Sequence, residues 1–128
     1  SEAWAADSGA HLIVDGDDPR ISTGAGTTAL EVTDAVEAGQ LPSIGTAVIP
    51  VGNGALLIGV GAWLRHAAPA CRVVGVQASA ADAMTRSWRA GRPIDTDTAD
   101  TYADGIASRV ALPRAAALMP GRVDAMLK

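Results

Sequence analysis

The chain has 128 residues, is 48% hydrophobic and carries a formal net charge of −4. That is enough apolar material for one buried core, and it argues against both a disordered chain and an electrostatic grip on nucleic acid; the nine arginines are scattered rather than gathered into a stripe. Its single cysteine, Cys71, leaves no partner for an internal disulfide and fits a reducing, cytoplasmic setting, while no apolar run approaches the ~20 residues that span a bilayer.

In chain order, residues 1–8, SEAWAADS, have helical composition and stop at Gly9, a C-terminal cap; HLIV, residues 11–14, reads as a short apolar strand. DGDDPR, residues 15–20, is turn chemistry and predicts a loop leaving that strand. From Thr23, TGAGTTALEVTDAVEAG predicts a helix with Ala29, Leu30, Val32, Ala35 and Val36 on its apolar face and Gly39 at its close. TAVIPV, residues 46–51, is an apolar run of strand length without polar alternation, the pattern of a strand covered on both faces. A glycine-studded turn follows, and LLIGVGAWLRHA forms the next helix.

CRVVGVQA, residues 71–78, is a further strand, and AADAMTRSWRAG a helix with Met84 and Trp88 one turn apart and Gly91 as its stop. RPIDTDTADT is a polar surface loop, a short helix falls around residues 113–118, and VDAML resembles the start of a strand. The alternation predicts an α/β class with three layers, a mostly parallel sheet flanked by helices. The chain opens in a helix without a preceding strand and stops in a strand without a following helix. Residues 1–128 are therefore expected to form a single α/β unit of a longer polypeptide, whose uncovered sheet edges favour a homo-oligomer or association with the remainder.

The turn PVGNGALLIGVG, residues 50–61, is the candidate site. After a parallel strand, a turn that opens a helix aims free N–H groups and the helix dipole at an anion, and Gly52 and Gly54 let the backbone come close; a tight turn made only for helix–strand packing reads equally well. A nucleoside-triphosphate loop fails, because Val60 and Gly61 follow Gly59 where lysine and a hydroxyl are required. A dinucleotide fingerprint matches at Gly52 and Gly54, but Leu57 holds its third glycine position and Gln77 has no carboxylate for a ribose. His11 and His66 lack a paired carboxylate and serine at recognisable positions, so no catalytic residue is assigned; Trp63 and Trp88 read as core or domain contacts.

Four stretches, in order, resemble one family. VIPVGNGALLIGVGAWL is similar to a P-V-G-G-G-G-L-x-x-G loop, DGDDPRISTGAGTTALEV to D-D-P-x-x-x-x-G-x-G-T-x-x-x-E, VVGVQASAADAMTRSWRAGR to V-I-G-V-E-x-x-x-A-x-x-M-x-x-S-x-x-x-G, and DTYADGIA to T-I-A-D-G-I-A. These are segments of the threonine dehydratase and serine racemase family, the fold type II pyridoxal-phosphate enzymes, and the chain resembles the central part of their large domain.

The resemblance implies pyridoxal 5'-phosphate as cofactor of the complete parent. It also implies a serine- or threonine-like substrate and β-elimination to a 2-oxo acid and ammonia. By position, Gly52, Asn53, Gly54, Ala55 and Leu56 would cup the phosphate, with Asn53 and Ala55 standing where the commonest version has glycine, and Gly105 would lie near the cofactor ring. The family's Schiff-base lysine belongs to an S-x-K-x-R-G stretch upstream of all four segments, and the one lysine here is Lys128. The isolated chain is therefore expected to be inactive. Members that hold a divalent metal use the acid of V-I-G-V-E and a second acid shortly after; Gln77 and Ala83 stand at those places, and the adjacent Asp82 is a single carboxylate, so no metal is expected. The alternative is a non-catalytic nucleotide- or phosphate-binding Rossmann-like module using the same turn.

Overall fold

The structure, a computed structural model, describes residues 2–128. Helix α1 (Glu2–Ser8) ends at Gly9 in a left-handed conformation, as the cap requires; the expected first helical residue, Ser1, lies outside the described residues. Helices α2 (Pro19–Ala25) and α3 (Thr27–Glu37) lead to strand β1 (Thr46–Pro50), followed by helix α4 (Ala55–Ala67) and strand β2 (Arg72–Val76). Helix α5 (Ala83–Ala90), a single 3-10 turn (Asp104–Ile106), helix α6 (Pro113–Leu118) and strand β3 (Ala125–Leu127) complete the chain.

The three strands form one parallel sheet in the order β1-β2-β3, with Val48 opposite Val74 and Val74 opposite Ala125. The expected α/β architecture is thus present. Helix α4 lies on β1 and β2, and its fully buried Leu57 meets Val51, Val73, Met84 and Met119 in the core. Gly59 shows why this helix is so glycine-rich: a Cβ there would strike the carbonyl of Ser22, so the backbones of α2 and α4 cross in direct contact. Asp124 ties β3 to the sheet by accepting from the Val73 N–H at 2.7 Å and from Arg65 at 2.5 Å. These bonds and Arg65 hold its carboxyl below the usual range.

Five expectations need correction. Residues 11–14 form no strand; Leu12, Ile13 and Val14 are exposed, because an apolar run becomes a strand only where a neighbouring ladder accepts it, and the sheet ends at β1 on that side. The DGDDPR stretch is not wholly loop. Asp18 accepts from the Arg20 N–H and Pro19 opens α2 four residues before Thr23, the combination that starts helices. The helix expected from Thr23 is instead two helices meeting at Gly26, where the Gly59 carbonyl of α4 leaves no room for a side chain. Strand β1 is not covered on both faces, as an edge strand with Val48 65% exposed. Val32, expected on the apolar face of its helix, is likewise exposed beside that edge. Trp63 and Trp88 are half-buried against the core, in keeping with their packing role.

Candidate functional site

The glycine turn hangs from the carboxyl end of β1. Val51, fully buried, donates its N–H to the Val76 carbonyl at 2.8 Å, which pins the start of the turn to the central strand. Gly54 then takes φ +98°, a left-handed conformation that alanine would resist, and α4 begins at the next residue. Among the described residues positive φ falls only on glycines, so Asn53 and Ala55 sit on ordinary backbone. That is why the turn tolerates them.

The main-chain nitrogens decide what the turn can bind. Asn53 Oδ1 accepts from the Ala55 N–H at 3.0 Å, so this one donor is already spent inside the turn. The N–H groups of Gly52, Asn53, Gly54 and Leu56 have no hydrogen-bond partner among the described residues. They lie at the start of a 13-residue helix, where the dipole adds positive potential.

The 3-10 turn at Asp104–Ile106 faces them closely: a Cβ on Gly52 would stand 3.4 Å from Ile106 Cα and 3.6 Å from the Gly105 carbonyl oxygen. Between the two turns opens a cavity of about 420 Å³, lined by Gly52, Asn53, Gly54, Ala55, Leu56 and Gly105. The six site residues named from the sequence thus share one cavity. Asp15 is the single ionisable residue in its lining, and no lysine or arginine reaches it. An anion here would be held by backbone dipoles rather than by side-chain charge. A phosphoryl group suits this arrangement, having several acceptor oxygens for separate N–H donors.

Residues that sequence reasoning passed over also shape the site. Asp15 lines the cavity, and Gly16 presses on the Asn53 side chain, where a Cβ would fall 2.9 Å from Asn53 Cγ. The similarity of the DGDDP stretch to a family segment was the available signal. Gln77 is 2% exposed and absent from the cavity lining; its Oε1 accepts from the Thr85 N–H and hydroxyl at 2.9 Å each, and its Nε2 donates to the Gly52 carbonyl at 3.4 Å. Leu57, at the third glycine place of the dinucleotide fingerprint, is wholly core.

Asp82 is buried beside Arg86 and Lys128, whose nitrogens each stand 2.7 Å from its carboxylate. Burial pushes its pKa up, but the two cations outweigh that and hold it below the usual range. Lys128 is thereby committed away from the cavity. Among the described residues no group of three or more His, Cys, Asp or Glu side chains converges on a cation site.

His11 does meet a carboxylate, contrary to expectation: Asp18 Oδ2 lies 3.6 Å from its Nε2, with Arg20 bonded to both, but no serine joins them and the cluster is outside the glycine-turn cavity. His66 instead stands edge-on to Trp63, ring centres 5.8 Å apart.

Comparison with known proteins gives the family and the fold. Residues 1–127 match the model of a family described as pyridoxal-phosphate dependent enzyme. The biosynthetic chloroplastic threonine dehydratase 2 of Solanum lycopersicum is 36% identical over 91 residues, which cover 71% of this chain and 14% of that protein. The solved structure of the processed form of threonine deaminase isoform 2 from Solanum lycopersicum superposes with a TM-score of 0.90 at 30% identity, covering 100% of this chain and 36% of the other. Maize serine racemase superposes with a TM-score of 0.84 at 25% identity, over 100% of this chain and 39% of its own. The chain therefore spans well under half the length of each of these proteins.

Proposed function

This chain belongs to the family of pyridoxal-phosphate dependent enzymes, and from that premise we propose that its glycine turn grips the cofactor phosphate within a larger amino-acid lyase of the threonine dehydratase kind. The observation that carries this is the cavity in which four unpartnered N–H groups, of Gly52, Asn53, Gly54 and Leu56, meet Gly105 at the carboxyl end of β1. These nitrogens would donate to the phosphate oxygens. Ala55 would contribute its N–H only by giving up Asn53 Oδ1. Gly105, with open space where a side chain would stand, would leave room for a flat ring beside the 3-10 turn.

Pyridoxal phosphate, when bound, supplies a ring that takes up the electron pair released at a substrate Cα. In the complete enzyme that chemistry would serve removal of the β-hydroxyl of serine or threonine, with a 2-oxo acid and ammonia as products. The 128 residues themselves would hold and orient the cofactor without turning over substrate, since their one lysine, Lys128, is engaged with Asp82 outside the cavity. We assign residues 1–128 to a single α/β unit of a larger cofactor-binding domain, cytoplasmic and homo-oligomeric in the complete enzyme. The exposed edge of β1 supports the larger domain. No helix of the described residues is long and apolar enough to cross a membrane.

The test compares pyridoxal 5'-phosphate with pyridoxal, which lacks the phosphate, by calorimetry on the purified chain. Tighter binding of the phosphorylated form by about tenfold or more is expected from several N–H donors, with no ammonia released from threonine. Equal affinity for the two would remove the phosphate from this turn.

A further inference from the structure

We propose that the Asn53 side chain is a built-in competitor for the phosphate: its carbonyl oxygen holds the Ala55 N–H before the ligand binds and yields it to a phosphate oxygen on binding. The inference rests on the phosphate-binding reading of the turn. Helix α4 starts at Ala55, directly after the left-handed Gly54, so the Ala55 N–H is one of the donors that the helix itself leaves unpaired. Asn53 Oδ1 takes that donor at 3.0 Å from two residues back. Ala55 is one of five consecutive turn residues that line the cavity, Gly52 to Leu56, and the only one of them whose N–H is bonded among the described residues.

The carboxamide is seated there but lightly held. Its Nδ2 has no partner among the described residues and is open to solvent, so the single bond through Oδ1 anchors it. The backbone of Gly16, at φ +83°, stands against it, where a Cβ would fall 2.9 Å from Asn53 Cγ and 3.1 Å from Asn53 Cβ. A side chain at position 16 would thus push the carboxamide from its seat. Asn53 is half-buried at a cavity of about 420 Å³, which gives the released amide room to turn. A glycine at position 53 would offer no acceptor at all.

Chemistry settles which acceptor wins. A phosphate oxygen carries charge and an amide oxygen does not; charge-assisted hydrogen bonds are about twice as strong as neutral ones, and the positive end of α4 favours the anion further. The phosphate therefore takes the Ala55 N–H, but each binding event first breaks the bond to Asn53. Before binding, the same bond covers an open donor at the start of α4. The side chain stabilises the free turn and lowers its affinity through one and the same contact.

The experiment uses the full chain, with pyridoxal 5'-phosphate and pyridoxal as paired probes read by calorimetry. In Asn53→Ala, which deletes the competing acceptor, affinity for the phosphorylated probe is expected to rise about fivefold, the exchange of one neutral hydrogen bond, while affinity for pyridoxal stays native. Amide exchange in the first turn of α4 is expected to quicken in the free variant and to match the native chain once pyridoxal 5'-phosphate saturates both. A merely structural role for Asn53 would lower the affinity or leave it unchanged. A second measurement needs no variant: in the saturated native chain the 31P nucleus is expected to couple across a hydrogen bond to the Ala55 amide, as it does to the other amides of the turn.

A native chain that prefers the phosphorylated probe, together with an Asn53→Ala affinity at or below the native one, would overturn the competition and leave the phosphate site standing. Coupling to the other turn amides without coupling to Ala55 would overturn it too. Native and Asn53→Ala chains that both lack any preference would overturn both readings.

Discussion

Two helices of this molecule begin in opposite ways. At α2 the carboxylate of Asp18 closes the start, accepting from the Arg20 N–H at 3.0 Å while the Arg20 side chain covers its other oxygen. At α4 no side chain caps the helix from its N-cap position; Gly54 occupies it, and Asn53 engages only the Ala55 N–H. The first start supplies its own anion. The second leaves its donors free in a cavity, and that difference separates a helix terminus made for stability from one able to take a ligand.

The comparison breaks most severely at Gly54. In Gly54→Ala the left-handed φ of +98° and a Cβ 3.3 Å from Met84 Cε are expected to cost about 1–2 kcal/mol in urea unfolding. Preference for pyridoxal 5'-phosphate over pyridoxal should vanish with it as the turn reorients. Asn53→Asp makes α4 resemble α2 by placing a carboxylate at the turn. Phosphate affinity is expected to drop about tenfold, with little change in the urea midpoint, because the new charge favours the helix dipole and opposes the ligand.

Asp18→Ala is the smallest perturbation. Amide exchange should quicken in the first turn of α2, while phosphate affinity stays native. A change in phosphate affinity here would contradict the division between the two helix starts.

Acid sharpens the same contrast. The Arg20 side chain, followed by the backbone bond, holds the Asp18 carboxyl well below the usual carboxylate range, and Asp82 is also lowered, by Lys128 and Arg86 working against its burial. For both groups the folded value lies under the unfolded value of about 3.9. Their stabilisation is therefore present above about pH 4 and disappears as pH falls through the folded values. Thermal melts should be flat in this respect from neutral pH down to about pH 5 and decline below about pH 4. Asp82→Asn and Asp18→Asn should each flatten that decline, since the two carboxylates are 1% and 11% exposed and both are held by cations.

Much of the candidate cavity was legible before any fold was known. A β-branched run, then glycines, then an aliphatic stretch encodes strand, turn and helix through local preference alone, and the six candidate residues share a cavity. The reading failed where a neighbour decides the outcome. HLIV has strand composition but no strand beside it, and TAVIPV has the composition of a covered strand yet lies at the sheet edge. Gln77 looked like a missing carboxylate because sequence shows a residue type without its partners. In the fold it is a satisfied, buried amide.

By itself the sequence determined the strand, turn and helix that follow one another from Thr46 to Ala67 and the absence of lysine from the turn, which follow from backbone sterics and side-chain chemistry within a few residues. Only the tertiary structure decided that the Asp104–Ile106 turn closes over Gly52, that Gln77 reaches Gly52 from 25 residues away, and that Lys128 is committed to Asp82 at a separation of 46. Those contacts depend on how helices and strands stack, a choice made by the burial of the whole core.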